Sequence, residues 1–210
     1  MLTVVAVLCA LAWSIAEAAI VWPNFPVTAV LMNVITRAVT FTVIGRVVGK
    51  LWQTKTIAHK DELTGLVNRS GFIGKFEAQQ SKSERLHEPY SLLFINIDHF
   101  RMLNDKQGHE VGDQALKALA STLLENSRNI DLAARIGGDE FVLLYPHTDK
   151  QTCELLGARI ARAAERKFSQ QEWGIALSFG HVTEIGKGRS VDELLRVAEA
   201  NMKLNKQGKE

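Results

Sequence analysis

The pattern of apolar and polar positions divides the chain into two unlike parts. Leu2–Trp22 contains one acidic residue and no basic residue, and Val27–Trp52 is mostly apolar although Arg37 interrupts it. Both stretches are long enough to cross a bilayer as helices, and a break with two prolines separates them. The pattern therefore predicts a membrane anchor of two transmembrane helices over residues 1–52. Residues 53–60 are predicted to form a short helical connector.

Two other interpretations of this first part are a cleavable signal peptide and a pair of buried core helices. The small residues at positions 16–19 resemble a cleavage site, but the chain starts without a basic region and a second apolar stretch follows at once. Basic residues then concentrate at the exit of the second stretch, as Arg46, Lys50, Lys55 and Lys60. The positive-inside rule accordingly predicts a protein of the inner (cytoplasmic) membrane whose following domain lies in the cytoplasm.

The second part of the chain alternates between helix-like and strand-like spacing of apolar residues. Helices are predicted over residues 70–85, 113–127, 152–168 and 191–206. Strands are predicted over residues 90–98, 132–136, 140–145 and 174–182. Alternation of this kind is typical of an α/β fold or an α+β sandwich. Because two of the strands form a hairpin, the sheet is not purely parallel.

Charge and cysteine content argue against a protein that binds nucleic acid polymers and against a disulfide-rich protein. Lys and Arg number 25 against 23 Asp and Glu, a formal net charge of +2, which does not favour binding to a nucleic acid polymer. Cys9 and Cys153 are too far apart and too few to form a disulfide framework. A reducing compartment is therefore expected for the folded part.

Polar side chains crowd the segment that follows the predicted strand over residues 90–98. Ligands of open α/β sheets bind at the carboxyl ends of strands. An ordinary strand-to-helix loop is the alternative, although such loops seldom gather so many hydrogen-bonding groups. The segment is therefore a candidate ligand site. Its polar residues are Asn96, Asp98, Arg101, Asn104, Asp105, His109 and Asp113.

The turn of the predicted hairpin combines bare backbone with negative charge. Gly137 and Gly138 allow a phosphate to approach the main chain closely. Asp139 and Glu140 are hard oxygen ligands suited to Mg²⁺, which usually takes one or two carboxylates together with substrate phosphates. Neighbouring residues of a regular strand point to opposite faces, so both reach one metal only at an irregular turn. A solvated turn without a ligand is the alternative.

Two further motifs have a plain structural interpretation when each is taken alone. Asp61–Arg69 (DELTGLVNR) can be a turn before a helix, with an Asp or Thr cap and Gly65 in the bend. Arg128 and Asp131 (RNID) can be a surface ion pair, which adds little stability.

Taken in order, these motifs resemble the GGDEF family of diguanylate cyclases. The match runs from residue 61 to about residue 209 through DELTGL-NR, D-F---ND--GH--GD, RIGGDEF and SFG. The resemblance implies an α+β sandwich in which helices wrap a five-stranded mixed sheet, like the palm of nucleotide cyclases and polymerases. It also implies a GGDEF domain over residues 61–210 that condenses two GTP into cyclic di-GMP and two pyrophosphates. Such a domain requires Mg²⁺ (or Mn²⁺) and acts as a homodimer.

The resemblance assigns roles at the glycine turn and at the end of the preceding strand. Gly137 and Gly138 would lie against the phosphates of GTP. Asp139 would bind metal and accept the proton of the attacking ribose 3′-hydroxyl. The implied metal ligands are the side chains of Asn96, Asp139 and Glu140 and the backbone carbonyl of Ile97.

Other residues match substrate and product positions of the family. Asn104 and Asp113, with His109 nearby, match positions that contact the guanine and its sugar. An amide and a carboxylate can together read the mixed donor and acceptor edge of guanine. Arg128 and Asp131 match the product-inhibition site, where the arginine would hold cyclic di-GMP.

Two positions depart from the family pattern, and a third conforms to it. Asn96 stands where the family has a metal-binding Asp; it brings no charge, so we expect a lower affinity for metal. Arg101 replaces a lysine that neutralises the reacting phosphates, which keeps the charge but spreads it over a planar fork. Lys206 matches the C-terminal lysine that holds phosphate.

Three functions follow as hypotheses. The first is a membrane-anchored diguanylate cyclase in which product inhibits through the Arg128–Asp131 motif. The second is a receptor for cyclic di-GMP or GTP whose active site is weakened at Asn96. The third is a dimeric signalling spacer without nucleotide binding, which the dense polar cluster over residues 96–113 argues against.

Overall fold

The computed structural model describes residues 27–57, 59–186 and 188–207. The chain separates into two compact units, one ending at Ile57 and the other beginning at Ala58.

The first unit contributes one long helix to the described part of the chain. This helix, α1, spans Val27–Ile57. Thr36, Thr40 and Thr42 each donate a side-chain hydrogen bond to the carbonyl one turn earlier. Within the described residues, no helix combines the length and the apolar character needed to cross a membrane. The predicted span over Val27–Trp52 is therefore not supported, and the predicted span over Leu2–Trp22 lies outside the described residues.

The second unit alternates strands and helices, as the hydrophobic pattern predicts. Its strands are β1 (Val67–Asn68), β2 (Pro89–Asp98), β3 (Leu132–Arg135), β4 (Glu140–Pro146) and β5 (Ala176–Ile185). Its helices are α2 (Arg69–Leu86), α3 (Phe100–Gln107), α4 (His109–Glu125), α5 (Lys150–Gln170) and α6 (Val191–Gln207). Every predicted helix and strand of this unit is present with shifted ends. The pattern missed β1 and α3.

The five strands form one mixed sheet in the order β1-β3-β4-β2-β5. β1 pairs with β3 in parallel, and the other neighbours are antiparallel. The β3–β4 hairpin confirms the predicted turn at Gly137-Gly138. β2 and β4 lie at the centre and are buried over nearly their whole length, which explains their continuous apolar sequences.

Side chains that alternate along the strands build a separate core on each face of the sheet. On one face, Leu119 of α4 and Ile160 of α5 pack with Ile95 and Leu143 from the central strands. On the other face, Phe76 of α2 and Met202 of α6 belong to the second core, together with Leu92, Phe94, Val142 and Leu144. Helices therefore cover both faces, and the predicted α+β sandwich is confirmed.

The packing of α6 on the sheet depends on Gly180 of β5. A Cβ atom there would lie well inside van der Waals contact with the backbone of Ala198 and Met202. We expect Gly180→Ala to lower the free energy of unfolding by ~1–3 kcal/mol, because α6 has to shift as a unit. Urea unfolding followed by circular dichroism measures the loss. Gly74→Ala is the matched control, since Gly74 has no neighbour within 4 Å; equal destabilisation of both variants would contradict this packing.

Candidate active site

The glycine turn is fastened to the end of the central strand β2. The backbone N–H of Ile97 donates to the carbonyl of Asp139 at 3.3 Å, and Asn96 pairs directly with Glu140 across the sheet. Within the turn, the N–H groups of Ile136 and Gly137 both donate to the carbonyl of Glu140. The structure thus brings together the carboxylates of the turn and the strand end, as the sequence predicts.

The fold does not itself require glycine at Gly138. Neither Gly137 nor Gly138 has a positive φ, which is the usual reason for glycine in a turn. A Cβ on Gly138 would meet nothing within 4 Å, whereas one on Gly137 would collide with the carboxylate of Glu140. The backbone at Gly138 is therefore open, whereas Gly137 leaves room for the side chain of Glu140.

Arg135 holds the turn in place, a role that sequence spacing did not reveal. Its guanidinium donates to the carbonyl of Gly138 at 2.7 and 3.1 Å. One guanidinium nitrogen, Nη1, also donates to both carboxylate oxygens of Asp61, at 3.1 and 3.2 Å. Burial by itself would raise the pKa of Asp61, but hydrogen bonds from Thr64 and Arg135 prevail and hold that pKa below its ordinary value. The DELTG and GGDEF motifs thus form one connected unit.

The two carboxylates of the turn repel each other. The pKa of Glu140 is raised above its ordinary value. Burial is the largest cause, and the negative charges of Asp139 and Glu199 add to it. A bound cation would relieve this repulsion. Within the described residues, no group of three or more His, Cys, Asp or Glu side chains could hold a metal ion. A metal here would therefore depend on one or two carboxylates, the carbonyl of Ile97 and ligand phosphates, a donor set that fits Mg²⁺.

Lys206 forms an ion pair with Asp98, a residue that the sequence indicated only as part of a polar cluster. Asp98, at the end of β2, is buried and accepts hydrogen bonds from Lys206 and, at 2.6 Å, from the hydroxyl of Ser178. The Lys206 side chain is 40% exposed, so it remains accessible beside this pair. The predicted phosphate contact thus lies at the strand end, anchored to the sheet by Asp98.

The predicted guanine residues lie on α3 (Asn104) and on the first turns of α4 (His109 and Asp113). The side-chain oxygen of Asn104 is buried and has no hydrogen-bond partner among the described residues. Gly112 is needed there, because a Cβ on it would overlap that oxygen. His109 begins α4, and Asp113 is exposed one turn later. A buried unpaired acceptor carries a desolvation penalty, which an N–H donor of a ligand would remove.

Arg101 is not positioned by the fold. Its side chain is 95% exposed, and its guanidinium lies 4.0 Å from the carboxylate of Asp105, one turn along α3. Such a pair contributes little stability, so Arg101 is free to change partner.

Arg128 and Asp131 form a separate site before β3. Asp131 accepts a hydrogen bond of 2.7 Å from the backbone N–H of Arg128. Its other carboxylate oxygen is buried, and no residue in the described part of the chain donates to it. Burial raises the pKa of Asp131 above its ordinary value, although this N–H and the guanidinium groups of Arg128 and Arg159 oppose the effect. These residues line a cleft of about 290 Å³. Arg159, which reaches the cleft from α5, was not indicated by any motif of the sequence.

Comparison with known proteins identifies the second unit. The family model described as "Diguanylate cyclase, GGDEF domain" matches residues 58–210. The chain belongs to the GGDEF family. The GGDEF domain of DgcB from Caulobacter crescentus, solved in complex with c-di-GMP, superposes with a TM-score of 0.66. It is 28% identical in sequence and covers 72% of this chain and 91% of that one.

Curated relatives of this GGDEF protein carry enzyme names. The probable diguanylate cyclase DgcT of Escherichia coli (strain K12) is 34% identical over 151 residues, which are 70% of this chain and 33% of DgcT. The diguanylate cyclase DgcM of the same strain is 37% identical over 158 residues, 75% of this chain and 38% of DgcM. The chain thus spans little more than a third of the length of these relatives.

Proposed function

We propose that the protein is a diguanylate cyclase that converts two GTP into one cyclic di-GMP and two pyrophosphates. The observation that carries the proposal is the junction of the glycine turn with β2. A 3.3 Å hydrogen bond from the backbone N–H of Ile97 to the carbonyl of Asp139 holds Asp139 at the end of β2, beside the open backbone of Gly138. The names of the curated relatives support the same activity.

The proposed reaction assigns a role to Asp139 of the turn and to two basic residues outside it. The 3′-oxygen of one GTP attacks the α-phosphorus of a second GTP, and the bond from that phosphorus to the bridging oxygen breaks to release pyrophosphate. The reciprocal attack, by the 3′-oxygen of the second nucleotide on the α-phosphorus of the first, closes the ring and releases the second pyrophosphate. Asp139 accepts the proton of the attacking hydroxyl. Each protomer would hold one GTP, so a homodimer has to bring two sites face to face. Lys206 and the exposed Arg101 would supply positive charge to the phosphates.

Substrate recognition in the proposal rests on Asn104. Its unpaired side-chain oxygen can accept hydrogen bonds from the N–H groups of guanine, while Asp113 and His109 lie on the first turns of α4 nearby in sequence. The requirement for an N–H donor at this acceptor favours guanine over adenine, whose corresponding ring nitrogen carries no hydrogen.

A divalent cation, Mg²⁺ or Mn²⁺, completes the proposed site. Asp139, Glu140 and the carbonyl of Ile97 would hold it, and when bound it would neutralise charge on the triphosphate. The raised pKa of Glu140 and its repulsion from Asp139 are consistent with a place for positive charge.

Cyclic di-GMP is proposed to inhibit through the Arg128–Asp131 cleft. We expect Arg128→Ala to weaken inhibition by added cyclic di-GMP at least tenfold while leaving the initial rate nearly unchanged, because a guanidinium–phosphate or guanidinium–guanine contact is lost. Initial rates measured against product concentration give the inhibition constant. Arg162→Ala is the matched control, since Arg162 is an exposed arginine of α5 outside this cleft. If cyclic di-GMP inhibited Arg128→Ala and Arg162→Ala equally, the assignment of Arg128 to the inhibition site would be contradicted.

A receptor function is the second candidate, and the contacts of Asn96 favour it. Its amide nitrogen donates hydrogen bonds to the carbonyl of Ile97 and to the carboxylate of Asp139, two groups that a metal would need as ligands. Calorimetry with cyclic di-GMP, run beside the turnover assay, separates the two functions. Binding without synthesis supports the receptor, and synthesis supports the enzyme.

The location of the protein stays a prediction. The expected position of the GGDEF domain at the cytoplasmic side of the inner membrane depends on the span over Leu2–Trp22, which lies outside the described residues.

A further inference from the structure

Asn96 lies between two groups that a metal ion would need. Its side-chain nitrogen donates to the backbone carbonyl of Ile97 at 3.0 Å and to the carboxylate of Asp139 at 3.4 Å. Ile97 also donates its own N–H to the carbonyl of Asp139. The three residues thus form a closed hydrogen-bonded group where β2 meets the glycine turn.

The orientation of the Asn96 amide follows from the chemistry of its neighbours. A backbone carbonyl oxygen and an ionised carboxylate can only accept hydrogen bonds. If the amide were turned round, its oxygen would face two other acceptors and both hydrogen bonds would be replaced by repulsion. The amide nitrogen is therefore the atom that faces Ile97 and Asp139.

We infer that Asn96 is an internal hydrogen-bond donor that competes with a divalent cation for Ile97 and Asp139, and is not itself a metal ligand. The inference rests on the proposed metal-dependent function and differs from the sequence-based prediction, in which Asn96 is a metal ligand. The N–H groups of the amide carry partial positive charge and satisfy both oxygens when no metal is bound. A cation that takes these oxygens first has to displace the amide.

The two assignments of Asn96 predict opposite effects of the same truncation. If the amide oxygen were a ligand, Asn96→Ala would remove it and weaken metal binding. If the amide nitrogen competes with the metal, the same change frees two oxygens and strengthens binding. The sign of the change in affinity therefore decides between them.

The experiment uses Mn²⁺ alone as the probe, titrated into the full chain while electron paramagnetic resonance counts the free ion. We expect Asn96→Ala to bind Mn²⁺ roughly tenfold more tightly than the unaltered protein, because two hydrogen bonds no longer oppose the metal. Asn96→Asp, which adds a charged ligand, should bind more tightly still. Asn201→Ala is the matched control; it removes a 2.9 Å amide-to-carbonyl bond to His181 and should leave the affinity unchanged.

Thermal unfolding gives a second readout that does not depend on turnover. Without metal, Asn96→Ala should have a lower Tm than the unaltered protein, because Asp139 loses its donor. Millimolar Mn²⁺ should then raise the Tm of Asn96→Ala more than that of the unaltered chain, since a ligand stabilises the state that binds it.

A folded Asn96→Ala variant that binds Mn²⁺ more weakly than the unaltered protein, equally well, or not detectably at millimolar concentration overturns the inference. The proposed function fails separately. If every variant lacks GTP turnover while the Mn²⁺ affinities follow the expected order, the competition at Asn96 stands and the cyclase proposal does not.

Discussion

Replacing Asp139 with asparagine is expected to lower cyclic di-GMP formation about a thousandfold, within the range found for loss of a positioned proton acceptor. Asparagine preserves the shape of the side chain and can still accept the hydrogen bond from Asn96. It cannot take a proton from the 3′-hydroxyl, and it brings no charge to a metal. The rate of product formation at saturating GTP and Mg²⁺ measures the effect.

The control for this variant is Asp192→Asn. Asp192 forms an exposed ion pair with Arg69 at the start of α6, so its charge can be removed at little cost in stability. Circular dichroism should show that both variants keep the native fold. An Asp139→Asn protein that retains more than a tenth of the activity would show that another group accepts the proton.

The second large effect is expected at Gly138. A methyl group there meets no atom of the fold within 4 Å, and the residue has no positive φ. Gly138→Ala should therefore leave the free energy of unfolding unchanged or raise it by up to ~1 kcal/mol, because alanine restricts the unfolded chain. A methyl group over the turn should block the approach of a phosphate, so we expect GTP affinity to fall at least tenfold.

Calorimetric titration with a non-hydrolysable GTP analogue, paired with urea unfolding, separates the two effects. Gly74→Ala is again the matched control, because Gly74 also has open space but lies on α2. It should change neither affinity nor activity. If Gly138→Ala bound nucleotide as well as the unaltered protein, the open backbone of the turn would have no role in binding phosphate.

Local pattern was sufficient to predict the sheet of the second unit. β2 and β4 are continuous apolar runs because both their faces are covered by helices, and the Gly137-Gly138 turn between two such runs indicates a hairpin. The hydrophobic pattern did not predict β1, because this strand has only two residues. The pattern did not predict α3 because this helix, FRMLNDKQ, has only eight residues, too few for apolar spacing to repeat over several turns.

Contacts between distant parts of the chain could not be predicted from spacing. Arg135 and Asp61 lie 74 residues apart, and Lys206 and Asp98 lie 108 apart, so only the folded sheet shows that each pair meets. The residue types of the proposed site could be put forward from the sequence because metal and phosphate chemistry restrict them. The direction of the Asn96 amide was not, because it depends on which acceptors surround it.

Conversion of GTP by the full chain, held as a dimer by a fused leucine zipper, decides whether the protein is a diguanylate cyclase. We expect Mg²⁺ or Mn²⁺ to support release of two pyrophosphates for each cyclic di-GMP formed, with ATP left unchanged. A folded dimer that binds GTP in the presence of either metal yet forms no cyclic di-GMP would contradict this expectation.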